Sequence, residues 1–295
     1  MRVGVIGLGD MGSGLAKNLM ANGFETHGFD IDEKRLAAFE DMGGIRAASP
    51  AQMGSVVDAA FVMVMNGGQA NAVILGDGLM STMSQGDIVL LTATINPSEA
   101  RDIAAGLSGS GIGLIDSPVS GGFPGAQVGS LTMMAAAPSD LLSRAQPVMA
   151  AVSQTIHHVG DAAGMGQTVK ACLQTLIGSI FSATFEAASL AAKAGVDGQV
   201  LFDVFSTSGA GCGVANTALE NIIDRRFEGT GSHIGTMYKD LGISMNMAKE
   251  NGVAMFTASA AYELFRSGMS LFPEEDNWAI VKLLEQIAGT EVKKQ

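Results

Sequence analysis

Residues 1–32 read MRVGVIGLGDMGSGLAKNLMANGFETHGFDID, and this stretch decides how the chain begins to fold. Arg2 to Gly7 alternates and then runs apolar through Val3, Val5 and Ile6, as a short buried strand does. Gly7, Gly9 and Gly12 follow at G-x-G-x-x-G spacing. From Ser13 the pattern turns helical, with Leu15, Leu19 and Met20 on one side. Gly23 stops the helix, and Phe24 to Phe29 reads as a second strand ending at Asp30. The first glycine permits the tight turn, the second lets the backbone approach a pyrophosphate, and the third lets helix and strand pack closely. The helix N-terminus then faces the anion. A glycine triplet alone is an ordinary turn. Strand, triplet, helix and second strand together, with Asp30 close to the expected ~20 residues onward, point to a dinucleotide. Its loop, Gly7, Leu8, Gly9, Asp10, Met11 and Gly12, is the candidate binding segment.

Asp30 bears on which dinucleotide binds. A carboxylate at this strand end accepts from both ribose hydroxyls of NAD and repels a 2′-phosphate, so NAD is expected. Lys34 and Arg35 lie close enough in sequence to keep NADP as the lesser alternative. The bland reading of Asp30 is a solvated carboxylate in a turn.

At 295 residues there is room for two domains, and 47% hydrophobic with 16% charged residues allows large cores. The net charge of −12 argues against nucleic acid or an anionic membrane surface as partner. Two cysteines, Cys172 and Cys212, make no disulfide framework, which suits a reducing cytoplasm. The apolar N-terminus lacks the pattern of a signal peptide. Thr175 to Ala194 is apolar but interrupted by Ser179, Ser182, Thr184, Glu186, Ser189 and Lys193, so it reads as a buried helix rather than a membrane span. His157 and His158 are strand neighbours facing opposite ways, His27 and His233 are isolated, and no metal site is expected.

Along the chain, Glu33 to Met42 is helical and Ile45 to Ala48 a short strand. Ser49 before Pro50 marks a helix start. Ala59 to Met65 and Asp87 to Ala93 are buried strands, ending at Asn66 and Thr94. A helix over Ser98 to Leu107 leads to the strand Gly113 to Asp116. Strands alternating with helices mean a doubly wound parallel sheet. Ligands bind beyond the carboxyl ends of such strands, so the loops at Asn66, Thr94 and Asp116 should converge on the cofactor. Asp116 to Met134, DSPVSGGFPGAQVGSLTMM, contains Ser120, Gly121 and Gly122, whose backbone amides and hydroxyl suit a carboxylate. A flexible turn explains them equally well. Leu131 to Ala136 and Thr155 to Val159 are further strands.

From Gly166 to Ala194 the pattern is a long helix, apolar around most of its circumference and so expected to be buried on most sides. Lys170 and Gln174 lie one turn apart on it. Lys170, among Val169, Cys172 and Leu173, either snorkels to water or transfers protons with a pKa lowered by burial and a nearby cation. The remainder is helical over Gln199 to Phe205, Ala215 to Ile223, Tyr238 to Lys249, Ala258 to Ser267 and Trp278 to Ile287. Residues 1–162 and 163–295 are the expected domains.

Four segments in order resemble the β-hydroxyacid dehydrogenase family: GLGDMG at Gly7 to Gly12, DSPVSGG at Asp116 to Gly122, GMGQTVK at Gly164 to Lys170 and KDLG at Lys239 to Gly242. The resemblance implies a Rossmann domain, a long interdomain helix and an all-α domain similar to that of 6-phosphogluconate dehydrogenase but much shorter. It implies a homodimer or homotetramer; the smooth, small-residue helix around Ala183 to Ala192 independently suggests subunit packing, and the cysteine usage a cytoplasmic protein. It also implies hydride transfer between a nicotinamide and the hydroxyl of a small hydroxy acid or semialdehyde, of the 3-hydroxyisobutyrate, tartronate semialdehyde/glycerate or threonate type. Lys170 would be the general acid/base; Ser120, Gly121, Gly122 and Gln174 would hold substrate. Met65, Asn66, Thr94, Lys239 and Asp240 would join the glycine loop and Asp30 at the cofactor. Most members carry asparagine at the place of Gln174. Glutamine there, with the Val64–Asn66–Gln69 pattern, resembles the L-threonate dehydrogenase branch, whereas the small loop Gly211 to Val214 does not. The alternatives are a non-catalytic dinucleotide-binding module and an imine reductase on the same scaffold, and Lys170 argues against both.

Overall fold

The computed structural model describes residues 1–294, which form two compact units that divide between Lys170 and Ala171. In chain order the first unit contains β1 (Arg2–Ile6), α1 (Asp10–Ala21), β2 (Glu25–Phe29), α2 (Glu33–Asp41), β3 (Ile45–Arg46), α3 (Pro50–Gly54), β4 (Ala59–Val62) and α4 (Gly67–Ile74). It continues with β5 (Ile88–Leu91), α5 (Pro97–Gly106), β6 (Gly113–Asp116), β7 (Val119–Ser120), α6 (Gly122–Val128), β8 (Leu131–Ala136), α7 (Ser139–Val152) and β9 (Ser153–Gly160).

The sheet runs β3-β2-β1-β4-β5-β6-β8-β7, with β9 on β8. Its first six strands in that order are parallel. The strand β8 is antiparallel to β6 and β7 and parallel to β9, so the parallel sheet gains an edge of mixed direction. The winding reverses between β1 and β4, where Ile6 sits opposite Val62. A doubly wound sheet opens its crevice at that point.

Both faces of the strands are covered. Val3, Val5, Phe61 and Leu90 join one core with Leu15 and Leu19 of α1. Ile6, Val62, Val89 and Leu91 join the other with Ile74 and Ile103. This double burial is why the strands read as continuous apolar runs.

Three helices lie where the sequence suggested loops or nothing. The helix α4 starts at Asn66, whose side chain accepts from Gln69 N. The short α6 starts at Gly121, whose φ of 127° is open to glycine. The helix α7 contains Pro147, a residue that argues against a helix from sequence alone. Ser49 caps α3 through Gln52 N as its sequence suggests.

The helix α8 (Met165–Lys193) runs for 29 residues across the division. The second unit holds its later turns with α9 (Gly198–Thr207), α10 (Gly213–Ile223), α11 (Ile234–Asn251), α12 (Phe256–Leu271) and α13 (Val281–Ala288). Phe181 and Phe185 of α8 stack with ring centroids 6.0 Å apart, and Trp278 meets Phe181 edge-on at 5.5 Å. Leu241 and Phe265 complete this core.

Among the described residues α8 is the one helix long and apolar enough to cross a bilayer, and 33% of its most apolar window is buried. The expectation of burial on most sides is therefore corrected. Val169, Leu176 and Leu190 are exposed, at intervals of seven or fourteen residues, and Ala183 lies on the same line. Small residues on every side of α8 disguise which face is inward, because alanine, serine and glycine read neutrally in a hydrophobic pattern.

Candidate functional site

The loop after β1 is shaped by its glycines. Gly7 has φ +88°, and a Cβ there would lie 2.2 Å from Met63 O. A Cβ on Gly12 would lie 1.7 Å from Gly7 O, so the turn and α1 close on each other only through glycine. Gly9 differs. A Cβ there meets nothing nearer than the end of Arg35, at 3.7 Å, and its backbone is extended. The protein's own packing does not require glycine at this position, whereas a pyrophosphate against the backbone does. Gly9 also starts α1 with no side-chain cap, leaving that role to a ligand anion. The loop therefore fits a dinucleotide.

Asp30 is buried at the end of β2, and both carboxylate oxygens accept from backbone. Leu8 N donates to Oδ2 at 2.7 Å and Asp32 N to Oδ1 at 2.9 Å. The carboxylate thus braces the glycine loop itself. Arg35, about half exposed, places Nη1 3.6 Å from Asp30 Oδ2 and Nε 3.8 Å from Asp32 Oδ2. The same side chain is the one that lies beside Gly9.

At the neighbouring strand ends, Met65 is exposed and Asn66 is the cap of α4. Gln69 Oε1 accepts from Met65 N at 3.0 Å while Gln69 N donates to Asn66 Oδ1 at 2.9 Å, so the pair locks this loop. Thr94 follows β5, and the backbone on either side of it is held by Gln167. Ile95 N donates to Gln167 Oε1 at 3.1 Å, and Gln167 Nε2 donates to Ala93 O at 3.0 Å.

Gln167 belongs to the first turn of α8, and its partner there is Asp116. Nε2 also donates to Asp116 Oδ1 at 2.9 Å, and Gly164 N donates to Oδ2 at 2.8 Å. Asp116 at the end of β6 is thus a remote cap for α8. It is fully buried, and burial pushes its pKa up to about 6 against the lowering effect of its donors. The sequence reading placed the loop at Asp116 near the cofactor but gave neither the Asp116 carboxylate nor Gln167 a role in holding α8. The signal available was a polar pair at the end of one apolar strand and inside the start of an apolar helix.

Ser120 ends β7 opposite Thr132, and Gly121 and Gly122 have φ of 127° and 58°. A side chain on either glycine is strained by its backbone angle. Lys170 lies on α8, 6% exposed, one turn beyond the residues that Asp116 anchors.

In the second unit, α11 packs tightly on α8. A Cβ on Gly178 would lie 2.8 Å from a methyl of Leu241, and Ser244 Oγ donates to Ala171 O at 2.8 Å. This approach puts Asp240 of α11 beside Gln174 of α8, with Gln174 Nε2 donating to Asp240 Oδ2 at 2.6 Å. Lys239 Nζ is 3.0 Å from Asp240 Oδ1. Asp240 is therefore a buried partner of Gln174 and Lys239.

Residues 2–160 match the model of the NAD-binding domain of 6-phosphogluconate dehydrogenase. Residues 164–284 match that of the NAD-binding region of NADP-dependent 3-hydroxyisobutyrate dehydrogenase. The L-threonate dehydrogenase of Cupriavidus necator is 33% identical over 97% of this chain and 96% of its own. The 3-hydroxyisobutyrate dehydrogenase of Pseudomonas aeruginosa is 30% identical over 93% of each chain. The crystal structure of 3-hydroxyisobutyrate dehydrogenase from Salmonella typhimurium superimposes with a TM-score of 0.87 at 32% identity, covering 96% of this chain and 99% of that one.

Gly9→Ala should melt within about 2 °C of the parent, and dinucleotide affinity should fall at least ~10-fold. Gly12→Ala should lose on the order of 2 kcal/mol through overpacking. Thermal melts and a dinucleotide titration separate the two; an early melt for Gly9→Ala would show that folding, not a ligand, requires that glycine.

Asp116 also has a pH signature. Its pKa is raised on folding, so its contribution to stability is present below the ordinary value and is lost as pH rises through about 6. Between pH 5 and 7 the parent should lose about 1 kcal/mol from this group. Chemical denaturation of parent and Asp116→Asn at both pH values gives the difference, and a constant gap would remove the assignment.

Proposed function

We propose, from the premise that the chain belongs to the β-hydroxyacid dehydrogenase family, that it oxidises the hydroxyl of a small hydroxy acid with a nicotinamide dinucleotide, Lys170 being the general acid/base. The observation that carries this reading is Lys170 itself, a buried lysine on a helix whose first turn is anchored to the sheet by Asp116. The dinucleotide, when bound, supplies the two-electron chemistry. Lys170 Nζ accepts the hydroxyl proton in oxidation and returns it in reduction. Ser120, Gly121 and Gly122 hold the substrate carboxylate, and Gln174 binds a further group of the acid. The glycine loop, Asp30, Met65, Asn66, Thr94 and Lys239 serve the cofactor, and Asp240 acts through its neighbours. The acid is of the 3-hydroxyisobutyrate, glycerate or threonate type.

The dinucleotide-binding domain is assigned to residues 1–162 and the helical domain to 163–295. The exposed line of Val169, Leu176, Ala183 and Leu190 on α8 supports packing against a second copy, as a homodimer or homotetramer. The compartment is assigned as cytoplasmic.

NAD is the preferred cofactor, because the Asp30 and Asp32 carboxylates oppose a 2′-phosphate, and the half-exposed Arg35 beside them is the cation left to carry NADP binding. Asp30→Ala would also release Leu8 N and disturb both cofactors, so Arg35 is the cleaner probe. Arg35→Ala should weaken NADP binding ~10-fold, the scale of one half-exposed charged hydrogen bond, and NAD binding less than ~3-fold. Equal changes would show that Arg35 does not read the ribose substituent.

Lys170→Ala should lower turnover on the order of 10²–10⁴-fold, the scale of a lost general acid/base, with dinucleotide affinity nearly unchanged. The measurement is turnover over a panel of hydroxy acids beside a separate cofactor titration. Retained turnover in the variant would end the proton-transfer role.

A further inference from the structure

The segment from Ser120 to Ser130 has little in its own chain to hold it in shape. Gly121 and Gly122 are consecutive, with φ of 127° and 58°, and two glycines in a row give a loop little conformational bias. The helix α6 follows at once and is 7 residues long, too short to stand in water without partners. Its order comes from what it packs on, and that is α1. A Cβ on Gly14 would lie 2.6 Å from Ala126 O, so the two backbones touch. Asn18 Nδ2 donates to Gly14 O at 2.7 Å and to Ala126 O at 2.8 Å, with Gln127 O 3.5 Å away. Ala126 O is among the last carbonyls of α6, which the helix does not satisfy itself. One amide hydrogen of Asn18 thus ties its own helix and the other ties α6. A Cβ on Gly129 would lie 2.8 Å from Asn18 Oδ1, so the chain turns back toward β8 close against the same side chain. Gln127 adds a second tie, with Nε2 donating to Asp10 O at 3.3 Å. Asp10 is the first residue of α1, in the turn that begins at Gly9 with no side-chain cap.

We propose that Asn18 is a positioning residue that fastens the loop Ser120 to Gly122 to the helix α1, so that a pyrophosphate on the first turn of α1 orders that loop. This rests on the dehydrogenase reading above, which gives the loop the substrate carboxylate, and adds how the two ligands are coupled. The uncapped first turn of α1 frays more readily without an anion than with one. Gln127 is bonded to that turn, and Asn18 grips the adjacent peptide two turns further along. Ordering of the turn therefore passes to α6 and from α6 to the glycines that precede it. An acid that meets an ordered loop does not bear the entropy of ordering it. The coupling is reciprocal, so each ligand tightens the other.

ADP-ribose separates this route from direct contact with the reacting ring, because it carries the pyrophosphate and both riboses but no nicotinamide. In the parent, saturating ADP-ribose should slow amide exchange over Gly121 to Gly129 at least ~3-fold. Asn18→Leu keeps a similar volume and removes the donor. In it the slowing should vanish, while the dissociation constant for ADP-ribose stays within ~3-fold of the parent's. Gln127→Ala leaves the core untouched and should lose part of the slowing. For a hydroxy acid that is turned over, Asn18→Leu should raise its KM ~10-fold and leave kcat and the dinucleotide KM within ~3-fold.

Equal slowing in the parent and Asn18→Leu would show that ADP-ribose touches the loop directly, and it would overturn the proposal. No slowing in the parent would do the same, as would a fall in kcat with KM unchanged. If Asn18→Leu melts too early to measure, Gln127→Ala decides, and exchange identical to the parent's overturns the proposal. If no hydroxy acid is turned over, the dehydrogenase reading fails while the exchange comparison still decides this one. If ADP-ribose does not bind, the dinucleotide site fails and takes this proposal with it.

Discussion

In the first unit a single buried carboxylate, Asp116, joins the end of the parallel sheet to the start of α8. Through Gln167 the same group reaches the backbone on both sides of Thr94. Two opposed effects act on it. Its donors favour the charged form, while removal from water disfavours it more strongly, and the result is a carboxyl group pushed up to about 6. A hydrophobic contact at this place would be non-directional. The hydrogen bonds fix the rotation of the first helical turn, and rotation determines where Lys170 lies four residues after the Gly166 turn. Gly166 contributes too: a Cβ there would lie 2.6 Å from Asp116 O and 2.7 Å from Met134 O, so the helix backbone comes close to the sheet backbone at this residue.

The second unit organises its polar residues by a different device. Its core has an aromatic centre, with Phe185, Phe265 and Trp278 each packed on Phe181. Ridge-to-ridge contact of α8 and α11 at Gly178 brings Gln174, Lys239 and Asp240 together at the edge of that core. Lys239 and Asp240 are consecutive, so one turn of α11 supplies both charges. Glutamine between a carboxylate and an open side has a defined polarity, which a symmetric side chain in the same place would lack.

The glycine loop, the alternating strands and the long helix were all legible in the sequence, because each has a period or spacing tied to backbone geometry. The helices α4, α6 and α7 were not. The two glycines between Asn66 and Gln69 suggested a loop, the pair Gly121 and Gly122 suggested a turn, and Pro147 sits within α7. The antiparallel course of β8 leaves no local trace, since an apolar strand reads alike in either direction. Asp30 was readable as a strand-end carboxylate, but its bond to Leu8 N joins residues 22 positions apart and no spacing rule anticipates it. Asp116 and Gln167 were missed for the same reason: the bonds between them span 51 positions.

The missing side chain at Gly178 has a consequence for how such a protein can change its ligand. With a hydrogen atom as the spacer, α8 and α11 come close at that level, where a Cβ would lie 2.8 Å from a methyl of Leu241. The backbones then act as a fixed frame, and the reach of residue 174 is measured by its own length. Glutamine is one methylene longer than asparagine, which carries the amide about 1.5 Å further from the helix. With the helices this close, that increment sets how far the amide stands from its own backbone.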